Sequence, residues 1–460
     1  MIHYDAIIIG AGQAGTPLAK KLAIAGKKTL VIEKRIVGGT CINDGCTPTK
    51  AMISSAKAIY KAKSAGDLGV IVENVTIDFQ KVIARKDEIV RSFQASAQKG
   101  LETTDNLDLI MGEATFSGKK QLTITNSEGL SEDVTAEWIF INTGAKTLIP
   151  DINGLEDIEY LTSTTILNLK EVPEHLVIVG GNYIGLEFGQ MFKRFGSRVT
   201  ILEKSASIMG REDTDVSEEI SKILTDEGLD ILTDTKIETL TKVNGKINIS
   251  LKVKGQATEL SASHILIAAG RIPQTDTLNL ETAGVNTDDK GNVIVNDQLE
   301  TNMPGIYALG DVKGGPAFTH IAYNDYTIVY RNLIEHAKLS TTDREVPYCM
   351  FTDPQLGRIG FSEKEAKKAG LDYIVAKIRM EQVARGIETG ETFGFMKAIV
   401  DRKTKKILGA SILAAEGGEI MSVLQMAMQG GITYDQIRYG VFAHPTYSES
   451  LNNLFMKIED

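Results

Sequence analysis

The chain has 460 residues, 42% of them hydrophobic and 24% charged, a composition that supports a large buried core and excludes a disordered chain or a disulfide-stapled miniprotein. At about 150 residues per domain, the length corresponds to roughly three domains. Lys and Arg number 50 against 60 Asp and Glu, a formal charge of −10, which argues against a nucleic-acid partner because neutralising phosphates needs a basic footprint.

The opening MIHYDAIIIG has no basic flank ahead of an apolar stretch, so no secretory signal is expected. Runs such as LVIVGG and ILIAAG are too short to span a bilayer, and no membrane partner is expected. Three cysteines in a chain of this size point to a reducing compartment, and the expectation is a cytoplasmic protein.

An internal repeat organises the first two thirds of the chain. Ile7-Ile8-Ile9-Gly10 matches Val177-Ile178-Val179-Gly180, and Gly15, Gly26 and Glu33 fall on Gly185, Gly196 and Glu203 without a gap. Each copy reads as an all-apolar strand, a glycine turn, a helix and a second apolar strand ending in an acid. Strands apolar throughout imply burial on both faces of a parallel sheet, so βαβ units begin near residues 4 and 175. Later strands ending in glycine, Ile139–Gly144 and Ile265–Gly270, close the two units, and a third such run spans Gly305–Asp311. From about residue 346 the pattern changes, with a strand-like run over Phe395 to Val400 and a late helix over Glu419 to Gln429.

Gly10-Ala11-Gly12-Gln13-Ala14-Gly15 follows a strand and opens a helix, with Glu33 ending the next strand. The first glycine makes the tight turn, the second admits a pyrophosphate to the backbone, and the third lets helix pack on strand. The helix N-terminus offers free N–H groups to phosphate, and Glu33 is placed to bond a ribose. In the second copy, Gly180-Gly181-Asn182-Tyr183-Ile184-Gly185, Asn182 stands where the middle glycine belongs. Asparagine tolerates unusual backbone conformations, and its amide either replaces a backbone contact or shifts the ligand. Glu203 would repel a 2′-phosphate, which favours NADH, with NADPH kept as the alternative because Lys204 adjoins it.

Between the units lies GGTCINDGCTPTK, residues 38–50. Thr47 reads as a helix N-cap and Pro48 as the first helical residue. Cys46 then sits at a helix N-terminus, where the dipole and Lys50 lower a thiol pKa, and Cys41 is free to exchange with a disulfide. A structural zinc site wants four ligands, but only Cys349 and six scattered histidines remain, so no metal site is expected. Two inert buried thiols do not suit this polar, glycine-rich setting. The pair reads as a redox dithiol.

In combination, GAGQAG and GGTCINDGCTPTK, followed in order by GEATF, NTGA, YIGLE, AAGRIPQT, TNMPGIYALGD, FTDP and HPTYSE, resemble the FAD-dependent pyridine nucleotide-disulfide oxidoreductases, the group of glutathione reductase, lipoamide dehydrogenase and mercuric reductase. The resemblance covers essentially the whole chain. It implies an α/β fold with two Rossmann-like domains: an FAD-binding domain in two parts (1–147 and 273–345), an NAD(P)-binding domain (148–272) and a C-terminal α+β interface domain (346–460) that makes a homodimer.

The resemblance also assigns residues. Gly10, Gly12, Gly15 and Glu33 would hold the ADP half of FAD with Ala114 near the adenine, and Asp311 would bond the ribitol. Gly39, Thr40, Thr143, Gly144, Gly310 and Ala317 fall at other FAD-binding positions. Gly180, Asn182, Ile184, Gly185, Glu203 and Gly270 fall at those for the nicotinamide nucleotide. Lys50 would lie near the flavin and pair with Glu187, and Tyr183 would cover the flavin until the nicotinamide enters. Cys46 would be the charge-transfer thiolate and Cys41 the interchange thiol.

His444, with Pro445, Thr446 and Glu449 after it, looks like the family's acid–base dyad, which acts on the cysteines of the partner subunit. A histidine oriented by a carboxylate can protonate a leaving thiolate and deprotonate an incoming thiol. His3, His175, His264 and His336 read as structural or surface residues, and His320 lies near the expected flavin edge.

The leading expectation is an NAD(P)H-dependent FAD disulfide oxidoreductase, dihydrolipoamide dehydrogenase-like, acting on a small disulfide or dithiol. A mercuric-reductase-like reductase of metal ions or other electrophiles is the second. Arg385–Glu388 and Gly394–Lys397 look closer to mercuric reductase, yet the chain ends NLFMKIED without the C-terminal cysteine pair of those enzymes. A non-catalytic flavin or NAD redox sensor, motivated by Asn182, is the third. Tyr447, inside the dyad motif, departs from the commonest pattern, and its bulk is expected to narrow a substrate channel.

Overall fold

The apolar runs that begin the repeat form the central strands of two separate parallel sheets. A computed structural model describes residues 1–459, and these fall into two compact units. The first comprises residues 1–51, 83–148 and 270–344, the second residues 52–82, 149–269 and 345–459.

In the first unit the strand Ile2–Ile9 lies between Thr29–Glu33 and Ser131–Ile141, parallel to both, with Leu107–Met111 outside Thr29–Glu33. The short strand Ile306–Ala308 pairs with the C-terminal end of Ser131–Ile141, and the hairpin Glu113–Gly118/Gln121–Thr125 pairs with its N-terminal end. Successive strand side chains face opposite ways. Ile7, Ile9, Leu30 and Ile32 enter one core with residues 278–312. Ala6, Ile8 and Val31 enter another with Leu18 and Leu22 of the helix Gly15–Ile24 and Val329 of the helix Thr319–Ile334. Burial on both faces is why these strands carry no polar alternation.

In the second unit the four-stranded parallel order is Asp230–Leu232, Arg198–Leu202, His175–Val179 and His264–Ile267. An antiparallel meander, Thr235–Val243, Lys246–Val253 and Gln256–Ala262, packs Leu240, Ile249 and Leu251 into a core with Val177 and Ile265. A five-stranded antiparallel sheet follows, in the order Tyr348–Met350, Gln355–Gly360, Ile407–Ala414, Phe395–Asp401, Tyr373–Arg379. The helices Gly417–Gln429 and Ser450–Phe455 pack on it through Ile420, Leu424, Leu451 and Phe455. The strand and late helix expected after residue 346 are thus Phe395–Asp401 and Gly417–Gln429.

Ion pairs join the parts of the second unit. Lys397 is 1% exposed, yet its Nζ lies 2.8 Å from Asp213, 2.8 Å from Asp215 and 3.3 Å from Glu363. A buried ammonium is tolerated only with such partners. Burial alone would push Asp213 and Asp215 up. Hydrogen bonds from Lys397 to both, and from Lys377 to Asp215, outweigh it, and both carboxyls sit below their ordinary range. No helix among the described residues is long and apolar enough to cross a membrane.

Candidate active site

The first glycine turn is shaped by close approach. Gly10 has φ +103°, and a Cβ there would lie 2.5 Å from the Asn142 carbonyl oxygen. One on Gly15 would lie 2.2 Å from the Gly10 carbonyl, and one on Gly12 would lie 3.0 Å from Asn142 Nδ2. Asn142, which sequence reasoning did not single out, donates Nδ2 to the Gly10 carbonyl at 3.1 Å. Glu33 uses both oxygens: Oε2 accepts from Ala11 N at 2.9 Å and Oε1 from Arg35 N at 2.8 Å. The turn also receives the cysteine loop, since a Cβ on Gly39 would stand 2.7 Å from Gly12 Cα. Gly38 N donates to the Ala11 carbonyl at 2.9 Å. These contacts leave no room for side chains at Gly10 and Gly15, as the glycine turn that holds the pyrophosphate of FAD requires.

Cys41 lies in the short helix Gly39–Asn43, and Cys46 is the first residue of the helix Cys46–Lys63. The helix therefore starts before the expected cap: Gly45, not Thr47, precedes it, and the Gly45 carbonyl accepts from Thr49 N at 3.1 Å. First-turn N–H groups have no intrahelical acceptor, so Pro48 loses nothing inside that turn. Asn43 Nδ2 reaches the carbonyls of Ile36 and Val37 at 3.2 Å each, its Oδ1 accepts from Gln94 at 2.6 Å, and Arg35 pairs with Asp44. Neither thiol is in a disulfide; Cys46 is exposed and Cys41 half-buried. The Cys46 Sγ lies 3.4 Å from Thr319 Oγ1 at the start of the helix Thr319–Ile334. A hydrogen bond to Cys46, then burial, push the Cys41 thiol far above its ordinary value, against the opposing pull of Thr319 and Lys50. Ionisation of Cys41 is therefore disfavoured where it sits.

Asp311, in the turn after Ile306–Ala308, is pushed up by burial against the pull of Arg271 and Lys313. Arg271 lies 3.5 Å from it and also donates to the Ala145 carbonyl at 2.6 Å. The turn is fixed by Asp325, fully buried, which accepts from Gly310 N at 2.8 Å and pairs with Lys313 at 3.2 Å and Arg344 at 2.6 Å. Thr143 and Gly144 are held by Gln274: its Nε2 donates to the Thr143 carbonyl at 2.8 Å and its N to the Gly144 carbonyl at 2.9 Å. Ala114 is buried in Glu113–Gly118, and Ala317 is half-buried just before the helix Thr319–Ile334. Asn142, Asp325 and Thr319 lie far in sequence from what they hold, and no local pattern announces them.

In the second unit the turn is built alike. Gly180 has φ +118°, and a Cβ there would lie 2.4 Å from the Ala268 carbonyl; one on Gly185 would lie 2.0 Å from the Gly180 carbonyl. Glu203 Oε2 accepts from Gly181 N and Oε1 from Ser205 N, both at 2.8 Å. Asn182 sits in an ordinary backbone conformation: its φ is −104°, and as N-cap of the helix Tyr183–Phe195 its Oδ1 accepts from Tyr183 N at 2.9 Å. Tyr183 and Ile184 are half-buried on the first turn. Glu187, 4% exposed, accepts from Phe351 N at 2.8 Å. Lys50 and Gly270 belong to the first unit, where the Gly270 carbonyl accepts from Leu148 N at 2.9 Å.

His444 Nδ1 lies 2.9 and 3.0 Å from the two oxygens of Glu449, and the ring is largely exposed. Tyr447, between them, turns its hydroxyl to Glu391 and Thr389 and packs on the core of the five-stranded sheet, so its bulk is absorbed inside this unit. His175 is a core residue: Nδ1 meets the Ser261 carbonyl at 2.7 Å, Nε2 meets Thr200 at 2.9 Å, and burial lowers its pKa. His264 is lowered likewise by burial. His3 meets Thr135 at 3.0 Å, and His320 stacks on Phe318. Among the described residues no group of three or more His, Cys, Asp or Glu is arranged to hold a metal ion.

The family model for the pyridine nucleotide-disulphide oxidoreductases matches residues 4–325, and that for their dimerisation domain matches residues 346–455. The chain is 39% identical over 463 residues to the probable pyridine nucleotide-disulfide oxidoreductase RclA of Escherichia coli (strain K12), covering 100% of both. It is 34% identical to a mercuric reductase of Staphylococcus aureus, covering 97% of this chain and 81% of that one. Among solved structures, the Cu(II) complex of the HOCl-induced flavoprotein disulfide reductase RclA from Escherichia coli superposes with a TM-score of 0.92 at 38% identity, covering 100% of both chains.

Proposed function

Since the chain belongs to the pyridine nucleotide-disulphide oxidoreductase family, whose members are FAD-dependent flavoproteins reduced by NAD(P)H, we propose that it uses the Cys41–Cys46 dithiol to reduce a small disulfide. The observation that carries this reading is the pair itself: two reduced thiols in hydrogen-bond contact, with the Thr319 hydroxyl 3.4 Å from Cys46 Sγ. FAD would be held by Gly10, Gly12, Gly15, Glu33 and Asp311, and when bound it supplies two-electron transfer between nicotinamide and dithiol.

His444, oriented by Glu449, takes the proton of Cys41, a thiol held protonated and therefore in need of a base. The Cys41 thiolate attacks a substrate sulfur; a Cys41–substrate bond forms, the substrate S–S bond breaks, and His444 returns the proton to the leaving thiolate. Cys46 then attacks the Cys41 sulfur as the thiolate, closing the Cys41–Cys46 disulfide and releasing the second substrate sulfur as a thiolate that takes its proton from solvent. The dithiol loses two electrons and the substrate gains them. Residues 346–455 support a homodimer, in which His444 serves the cysteines of the partner subunit.

NADH is the proposed reductant. Glu203, directly after the strand Arg198–Leu202, has both oxygens committed to backbone N–H groups, so its carboxylate is fixed where a 2′-phosphate would meet it. Anaerobic titration with NADH and then NADPH, followed in the visible flavin spectrum, tests both points. The expected result is a long-wavelength shoulder after two electrons, lost in Cys46→Ser, with NADH the better reductant. Flavin bleaching without that shoulder would remove the dithiol from the electron path.

The relative's Cu(II) complex and the mercuric reductase kinship favour a second reading, in which the same dithiol reduces a thiophilic metal ion. Thiolates are soft ligands that suit Cu(I). His444→Ala separates the readings: it should cripple disulfide turnover and spare metal reduction.

A further inference from the structure

His444 is exposed, as are Ala443, Pro445 and Thr446 around it. A general acid–base group so placed needs its loop fixed from elsewhere, because misplacement by about 1 Å can cost on the order of 100-fold in rate. Tyr447 is the first side chain after His444 to turn inward. Its ring packs against the core of the five-stranded sheet, its hydroxyl donates to Glu391 Oε2 at 2.8 Å, and it meets Thr389 Oγ1 at 2.6 Å. Its own carbonyl accepts from Ser450 N at 3.2 Å, so the anchor is tied to the backbone beside Glu449.

Glu391 is held in turn by cations. Its Oε1 lies 3.2 Å from Lys61 Nζ and 3.9 Å from Lys57 Nζ. Lys57 also lies 3.2 Å from Asp353, which pairs with Arg194 at 2.9 Å. Lys57 and Lys61 stand one turn apart on the helix Cys46–Lys63, so two cations on one helix face fix the carboxylate.

We propose that Tyr447 and Glu391 are positioning residues for the His444–Glu449 pair, tethering its loop to Lys61 and Lys57. The inference rests on the reading of His444 as the acid–base group. The tether keeps one protonation state through the working range. Burial, with the Glu391 carboxylate, pushes the Tyr447 hydroxyl up to about 12. The bonds from Tyr447 and Lys61 outweigh burial and hold Glu391 below the ordinary carboxylate range. The departure of Tyr447 from the commonest motif therefore has a consequence: a hydroxyl here recruits a carboxylate that an aliphatic side chain could not.

The test uses the leaving group. A dialkyl disulfide such as oxidised lipoamide releases a basic thiolate that needs a proton, whereas an aryl disulfide releasing a nitrothiophenolate does not. In the holoenzyme, Tyr447→Phe keeps the ring and removes the hydroxyl. The expected result is a kcat about tenfold lower with the dialkyl disulfide, a smaller loss of about threefold with the aryl disulfide, which still needs Cys41 deprotonated but no proton on its leaving group, and unchanged flavin reduction by NADH. Glu391→Gln, which keeps an acceptor for the hydroxyl but drops the charge facing Lys61, should show the same dependence at about threefold. Wild-type kcat on both substrates, or equal loss on both, overturns the proposal. His444→Ala is run beside them: leaving-group dependence there and none in Tyr447→Phe rejects the tether alone. Its absence in His444→Ala rejects the acid–base reading and the tether with it.

Discussion

The two glycine turns of this chain are the same device at different stages of commitment. In each, the first glycine lies against the carbonyl at the end of a neighbouring strand, Asn142 for Gly10 and Ala268 for Gly180. In each, the acid ending the second strand bonds the same two backbone N–H groups, Ala11 and Arg35 for Glu33, Gly181 and Ser205 for Glu203. They part at the middle position. A side chain on Gly12 would press on Asn142 Nδ2 at 3.0 Å. In the second copy the strand-end residue is alanine, whose methyl reaches no further, and Asn182 is exposed and caps its helix. The backbone of the turn therefore accommodates a side chain at the middle position where the neighbour is small.

The largest effect should come from copying the second turn into the first. Gly12→Asn should abolish flavin retention, read from the flavin-to-protein absorbance ratio of the purified protein. Adding Asn142→Ala, which reproduces the second copy's pairing, should restore part of it. Gly185→Ala comes next, because its Cβ would sit 2.0 Å from the Gly180 carbonyl. About 3 kcal/mol of stability should go, with a raised KM for NADH, measured by denaturant unfolding and steady-state kinetics.

Glu203→Gln should narrow the preference for NADH over NADPH roughly tenfold, about 1.4 kcal/mol, as a ratio of kcat/KM values. The two units should also differ in acid. Asp213 and Asp215 lie below their ordinary range when folded, so their stabilisation is present above the unfolded value near 4 and is lost as pH falls through the folded one. Asp311, raised by burial, has the opposite sign, its contribution fading as pH rises. Hydrogen exchange at pH 3.5 and 6 should therefore show protection falling first in the helix Thr214–Asp226. Least affected should be Asn182→Gly, which loses a cap bond worth a few tenths of a kcal/mol and should shift the KM for NADH less than twofold.

The chain's own order of residues was enough to point to both turns and the dithiol, whereas the pairing of His444 with Glu449 came from the family resemblance, and the first two were legible for one physical reason. Each of these acts through neighbours a few positions away, and helix or turn geometry converts that spacing directly into contact. Burial of the parallel strands was equally legible, because apolar side chains on both faces leave no polar alternation. The start of the helix at Cys46 was missed because a helix end depends on which carbonyl is free to accept, and Gly45 offered one before Thr47.

Only the tertiary structure decided the rest. Thr319 beside Cys46, Asn142 under Gly10, Asp325 behind Gly310 and Glu391 beneath Tyr447 are contacts between segments remote in sequence. A hydroxyl, an amide or a carboxylate carries no mark of its partner in composition or periodicity. Its role is set by which polar group it meets once the strands and helices have packed, where leaving that group unpaired would cost about 1–3 kcal/mol.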